Sequence, residues 1–129
     1  VILKHDGAAS STEAIVKLRV DGQLAHTVSE GDGPVDSLHG ALCAALRPHY
    51  PCVDDLHLMD YKVRVVNTAA ETAAKVRVVI DWHDPTAGTT FGSVGVDANI
   101  IEASWLALAD AIQYKLLAEA ERRPETPAN

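Results

Sequence analysis

Apolar and polar positions alternate over residues 13–21, with Val16, Leu18 and Val20 set against Ile15, Lys17 and Arg19. A period of two puts each set on its own face of a strand, so the segment predicts a half-buried β-strand. Asp21-Gly22 follows, and both residues tolerate the positive φ of a type I′ turn, so a second strand over 23–30 is expected to pair back. The period then changes. From about 34 to 47 the apolar residues Leu38, Ala41, Leu42, Ala45 and Leu46 recur at helical spacing. Pro34 opens that helix where its missing N–H costs nothing, and Arg47-Pro48 closes it. Upstream, residues 1–5 read as the remnant of a strand and 7–12 as a Gly/Ser/Thr loop.

The same order then recurs. Leu56 to Val66 is a long alternating strand, Asn67 to Ala73 a turn, and 74–83 the return strand. Asp84 to Gly88 turns again into a third strand, 89–96. A final helix over about 99–121 carries Ile101, Trp105, Leu108, Ile112 and Leu116 on one face, with Asp97 or Asn99 as its cap and Glu102 in its first turn. Laid 66 positions apart, Val35-Asp36 falls on Ile101-Glu102 and Ala41-Leu42 on Ala107-Leu108. The pattern predicts an α+β fold of two pseudo-symmetric βββα units, about 1–50 and 54–121, with helices packed on antiparallel sheet. Duplicated units share a seam, and a seam suits a ligand or a partner better than it suits chemistry.

Composition narrows the choice of partner. The 129 residues suffice for one domain, taken as 1–123, with 124–129 as a solvated tail. A net charge of -7 argues against nucleic acid, whose binders need a basic face. No apolar run approaches the roughly 18–20 residues that span a bilayer, and no basic segment leads into a signal-like apolar stretch. Cys43 and Cys52 lack metal or redox spacing; Cys43, among Ala and Leu on the first helix, is expected as a buried free thiol, in keeping with a reducing cytoplasmic setting. The chain opens Val1-Ile2-Leu3-Lys4 without methionine and closes through Glu121-Arg122-Arg123-Pro124-Glu125-Thr126-Pro127, as expected of a domain cut from something longer.

Catalytic signals are weak. His5, His26, His39, His49, His57 and His83 form no i, i+4 pair and join no cysteine pair, so no metal or other cofactor is assigned to this domain. Ser37 and Ser104 lie on helices without a nucleophile elbow, and Asp54-Asp55 and His83-Asp84 read as turn-flanking polar residues. The chain is expected to be catalytically silent by itself. Gly31-Asp32-Gly33-Pro34-Val35-Asp36 offers more. Gly31 and Gly33 let a ligand approach the backbone, the helix start presents unpaired N–H groups to a carboxylate, and Asp36 suits an ammonium group. A zwitterionic amino acid meets both features. Two glycines making a turn and an aspartate complementing the helix dipole meet them equally well.

Four segments together resemble a known family: Gly31-Asp32-Gly33-Pro34-Val35-Asp36-Ser37-Leu38, Asp60-Tyr61-Lys62-Val63-Arg64-Val65, Thr72-Ala73-Ala74-Lys75-Val76-Arg77-Val78, and Gly95-Val96-Asp97-Ala98-Asn99-Ile100-Ile101-Glu102-Ala103-Ser104. In this order they are similar to the C-terminal regulatory domain shared by 2-isopropylmalate synthases and citramalate synthases. Glu102-Ala103-Ser104-Trp105, continuing to Tyr114-Lys115-Leu116-Leu117, resembles the citramalate branch most. The resemblance implies a homodimer that binds an end-product amino acid at its interface, isoleucine favoured and leucine second. It also implies feedback inhibition of a metal-dependent catalytic TIM barrel, absent here, that condenses acetyl-CoA with a 2-keto acid. Residue by residue, it implies Gly31 and Gly33 for backbone approach, Val35 against the effector side chain and Asp36 on its ammonium. The apolar wall would be Leu58, Tyr61 and Val65, completed by Ile100. A free-standing amino-acid-sensing or dimerisation module acting on a separate partner is the other reading.

Overall fold

The structure, a computed structural model, describes residues 2–6, 9–66 and 74–122. Its elements run β1 (Ile2–Asp6), β2 (Ala9–Val20), β3 (Gln23–Gly31), α1 (Pro34–Leu46), β4 (His57–Val66), β5 (Lys75–Asp84), β6 (Thr89–Asp97) and α2 (Ile100–Arg122). A one-turn 3-10 helix, Pro51–Asp55, joins the halves and was not anticipated from the pattern. The six strands form two antiparallel three-stranded sheets in chain order, β1-β2-β3 and β4-β5-β6. The fold is the α+β pair of βββα units expected.

The duplication is metrically regular. Ala9 and Lys75 open β2 and β5, Gln23 and Thr89 open β3 and β6, and Pro34 and Ile100 open the helices, each pair 66 positions apart. The hairpins keep to it less closely: two residues, 21–22, connect β2 to β3, whereas four, 85–88, connect β5 to β6. Two residues, 7–8, connect β1 to β2, whereas eight, 67–74, connect β4 to β5. The expected 7–12 loop is therefore corrected: Ala9 already pairs with Asp6 and Ser11 with Lys4, because the Ser/Thr run continues the ladder rather than leaving it. The expected turn over Asn67 to Ala73 and the tail 124–129 lie outside the described residues.

Local chemistry explains the boundaries. Asp21 and Gly22 take φ of 51° and 82°, the two left-handed positions of a type I′ turn. Pro34 stands in the first turn of α1. At α2, Asn99 Oδ1 accepts from the Ile101 amide at 2.7 Å and is the cap, while Asp97 Oδ1 accepts from the Asn99 amide at 2.9 Å and shapes the preceding turn.

Each helix lies over the second and third strands of its own sheet, α1 on β2 and β3, α2 on β5 and β6. One core joins both units, from Val16, Val20, Leu38 and Leu42 to Val78, Ile80, Trp82 and Leu108. Trp82 is buried, donates from Nε1 to Ser93 Oγ at 2.9 Å, and meets the His39 ring of α1 edge-on at 5.1 Å. Cys43 is buried as a free thiol whose pKa burial pushes up to about 11, so it packs as a small apolar side chain.

Candidate functional site

The glycine loop forms because its residues leave no room for side chains. A Cβ on Gly31 would stand 2.6 Å from Asp36 Oδ2 and 2.7 Å from the Ser37 amide nitrogen. Asp36 Oδ2 also accepts from the Asp32 amide at 3.2 Å, drawing the loop across the start of α1. Gly33 is the residue before α1, extended at φ -159°, and supplies no side-chain cap. The first amides of α1, on Val35 and Asp36, thus lack the side-chain acceptor that Asn99 gives the matching amides of α2. Two helix starts 66 positions apart differ in this one respect: one is capped from within and the other is open.

Tyr61 reaches this open start from the other unit. A Cβ on Gly33 would lie 3.7 Å from Tyr61 Oη, so the hydroxyl sits against the loop. Tyr61 is on β4, the strand that lies outside the cover of α2. Tyr61, Val63 and Val65 share its inward face opposite Ile80, Val78 and Val76, and are 43%, 41% and 67% exposed although they point the way the core does. An inward apolar face left this open is an unfinished one. Val63 belongs to it through the two-residue period, a signal that joins 61 to 65 and that the sequence reading did not use for this residue.

Leu58 joins that face only through a break in register. Leu58 and Tyr61 are three apart, which on a regular strand puts them on opposite faces. The ladder shifts between Leu58 and Asp60, leaving Met59 as the extra, exposed residue, so Leu58 faces inward opposite Trp82.

The sequence-derived residues therefore separate by depth. Gly31, Gly33, Asp36 and Tyr61 come together at the mouth of α1. Val35 is 3% exposed within the core and Leu58 packs against that core, so both lie beneath the surface rather than on it. Val65 leads across the sheet through Val76 to Asp97, placing it at the end where α2 begins, and Ile100 stands there 42% exposed. A separate cavity of about 500 Å³, lined by His49, Tyr50, Cys52, Asp55, Leu116 and Glu119 among others, contains none of these residues.

Asp55 and Asp84, read from sequence as turn residues, converge with Glu119 on Lys115. Lys115 Nζ is 2.6 Å from Asp84, 3.2 Å from Glu119 and 3.7 Å from Asp55, and the residue is 1% exposed. Burial is the largest single influence and works against both charges of the closest pair, but their hydrogen bond, their mutual attraction and the neighbouring partners together outweigh it. Asp84 is held below the usual carboxylate range, helped by the Ala87 and Thr86 amides, and Lys115 is raised. Only the spacing of Lys115 and Glu119 is local enough to read from sequence. Among the described residues no three His, Cys, Asp or Glu side chains gather as a metal site requires, and no helix is long and apolar enough to cross a membrane.

Residues 4–116 match the family model of the LeuA allosteric (dimerisation) domain. An (R)-citramalate synthase of Aquifex aeolicus is 47% identical over 118 residues, which are 92% of this chain and 22% of that protein. That of Geobacter sulfurreducens is 41% identical over 113 residues, 88% of this chain and 21% of its own length. A 2-isopropylmalate synthase of Geobacillus sp. is 30% identical over 104 residues, 81% of this chain and 18% of its own length. The chain thus spans about a fifth of the relatives it matches.

Proposed function

Because the chain belongs to the family of LeuA allosteric (dimerisation) domains, we propose that it binds a branched-chain amino acid, isoleucine before leucine, and so mediates feedback inhibition of an (R)-citramalate synthase. The observation that carries this reading is the uncapped start of α1 beside an exposed carboxylate and an unfinished apolar face. The amides of Val35 and Asp36 would take the effector carboxylate, and Asp36 Oδ1 its ammonium. Tyr61 would line its side chain, with Leu58 and Val35 supporting from beneath and Gly31 and Gly33 allowing close approach, while Val65 and Ile100, at the α2 end, would reach it from a second copy of the chain. Such a site is closed by a second copy of the chain, which also covers the inward face of β4.

The preference for isoleucine rests on the relatives, since the (R)-citramalate synthases match at 47% and 41% and the 2-isopropylmalate synthase at 30%. A pocket separates two isomeric side chains by only about 1–3 kcal/mol, so both are expected to bind. The catalytic region, a divalent metal within it, acetyl-CoA and the keto acid belong to the proposed parent enzyme, an acyltransferase acting in the cytoplasm. Inhibition follows only as far as the effector prefers one arrangement of that parent over another.

Calorimetric titration with isoleucine, leucine and valine tests the reading, with Asp36→Ala alongside. Saturable isoleucine binding, weaker for leucine and at least tenfold weaker in the variant, is expected. Absence of heat from all three, with folded and ligand-free protein, would reduce the domain to a dimerisation module.

A further inference from the structure

The outer face of the second sheet carries a cationic cluster that the effector reading does not use. Arg64 and Arg77 are directly opposite one another on β4 and β5, and Lys62 lies two residues along β4, opposite Val79. All three cations are exposed, and with Val79 they line one groove of about 290 Å³. None of the ion pairs formed among the described residues includes them. Like charges directly opposite across a ladder are destabilising, and here two arginines are kept so in a chain of net charge -7. The duplicated sheet does not repeat the cluster, since the matching register holds Ile2, Lys4, Ser11 and Glu13.

We propose that Lys62, Arg64 and Arg77 form a binding site for a short polyphosphate group, a di- or triphosphate carried on a small molecule. Each guanidinium presents a planar fork that matches one phosphate edge, so two forks and an ammonium match more than one phosphate. Their Cβ positions are spaced by about 5 Å across the strands and about 7 Å along them, a triangular base wider than a single phosphate needs. The next row limits the length: Asp60 faces Asp81 across the same ladder and closes the groove to a longer polyanion. A nucleic acid would meet the whole acidic chain, whereas charge beyond about 8 Å is largely screened from a small ligand at physiological salt. Occupation relieves the Arg64–Arg77 repulsion, which gives the site its affinity.

The 129-residue chain is titrated at low salt with sodium tripolyphosphate and with orthophosphate, following backbone amide shifts by heteronuclear NMR. Tripolyphosphate is expected to bind saturably at one site, more tightly than orthophosphate, with shifts centred on Lys62, Arg64, Arg77 and Val79. Arg64→Gln and Arg77→Gln, both surface changes, each weaken it at least tenfold. Lys17→Gln, on the outer face of the other sheet, leaves it unchanged. Shifts that never saturate, equal weakening in the Lys17 control, or unaltered binding in both arginine variants overturn the proposal. So does a change of mass in those variants without a change in tripolyphosphate affinity, which would assign the cluster to protein association.

Discussion

Two glycines two residues apart in one loop are held for different reasons. Gly31 has no room, since its added Cβ meets a carboxylate oxygen and a backbone nitrogen at 2.6 and 2.7 Å. Gly31→Ala is expected to destabilise by about 1–3 kcal/mol and to abolish effector binding, because the loop must open. Gly33 is extended and its added Cβ stands 3.7 Å from Tyr61 Oη, so Gly33→Ala carries only the cost of alanine at a helix N-cap, at most about 1 kcal/mol, and acts mainly on binding. Thermal denaturation beside calorimetry separates the two. His39 gives a second test at this scale. Burial lowers its pKa below 6.5 against the pull of Asp36 and Asp54, and its Nε2 is buried without a partner. The unfolded chain therefore takes up the proton first as pH falls. The contribution of neutral His39 is complete above about pH 6.5 and is lost below it, down to the folded pKa. Denaturant midpoints measured between about pH 7.5 and 5.5 should fall on acidification, with a shallower slope in His39→Phe.

Among the elements, the two helix starts show what local sequence encodes. Asn99 was one of two caps the sequence allowed, and its side chain satisfies Ile101 and Glu102 at 2.7 and 3.4 Å. Asn99→Ala should cost about 1 kcal/mol, read as a denaturant midpoint shift with unchanged slope. Apart from β2, which begins at Ala9 rather than 13, strand and helix spans were legible to within a residue or so, because apolar period, turn glycines and Pro34 all act over a few positions. β4 was less transparent. Leu58 and Tyr61 share a face only because Met59 bulges, and nothing in Leu58-Met59-Asp60 announces an extra residue. The packing of Leu58 opposite Trp82 outweighs a regular ladder there.

For the molecule as a whole, Lys115 ties together three elements far apart in sequence: Asp55 of the 3-10 helix, Asp84 at the end of β5 and Glu119 of α2. Removing the cation leaves carboxylates buried without a counter-charge, so Lys115→Met should lose about 3–5 kcal/mol in equilibrium unfolding. Sequence reading passed over the cluster, since Lys115 is 31 residues from Asp84 and burial, not motif, pairs them. The site divides in the same way. The loop Gly31–Asp36 was legible as a ligand-binding candidate because helix starts and glycines act locally. Tyr61 entered only through family resemblance, and its hydroxyl reaches Gly33 by the packing of one unit on the other.

By itself the sequence determined the two βββα units, the 66-position repeat, the turn at Asp21-Gly22 and the glycine loop, since each is written in contacts a few residues long. Tertiary structure alone decided which side chains are open. Val35 and Leu58 sink into the core while Tyr61, Val63 and Val65 stay uncovered, because α2 lies over β5 and β6 and leaves β4 bare. Hydrophobic period records the face a residue points to; whether anything packs against that face depends on where the chain places its helices.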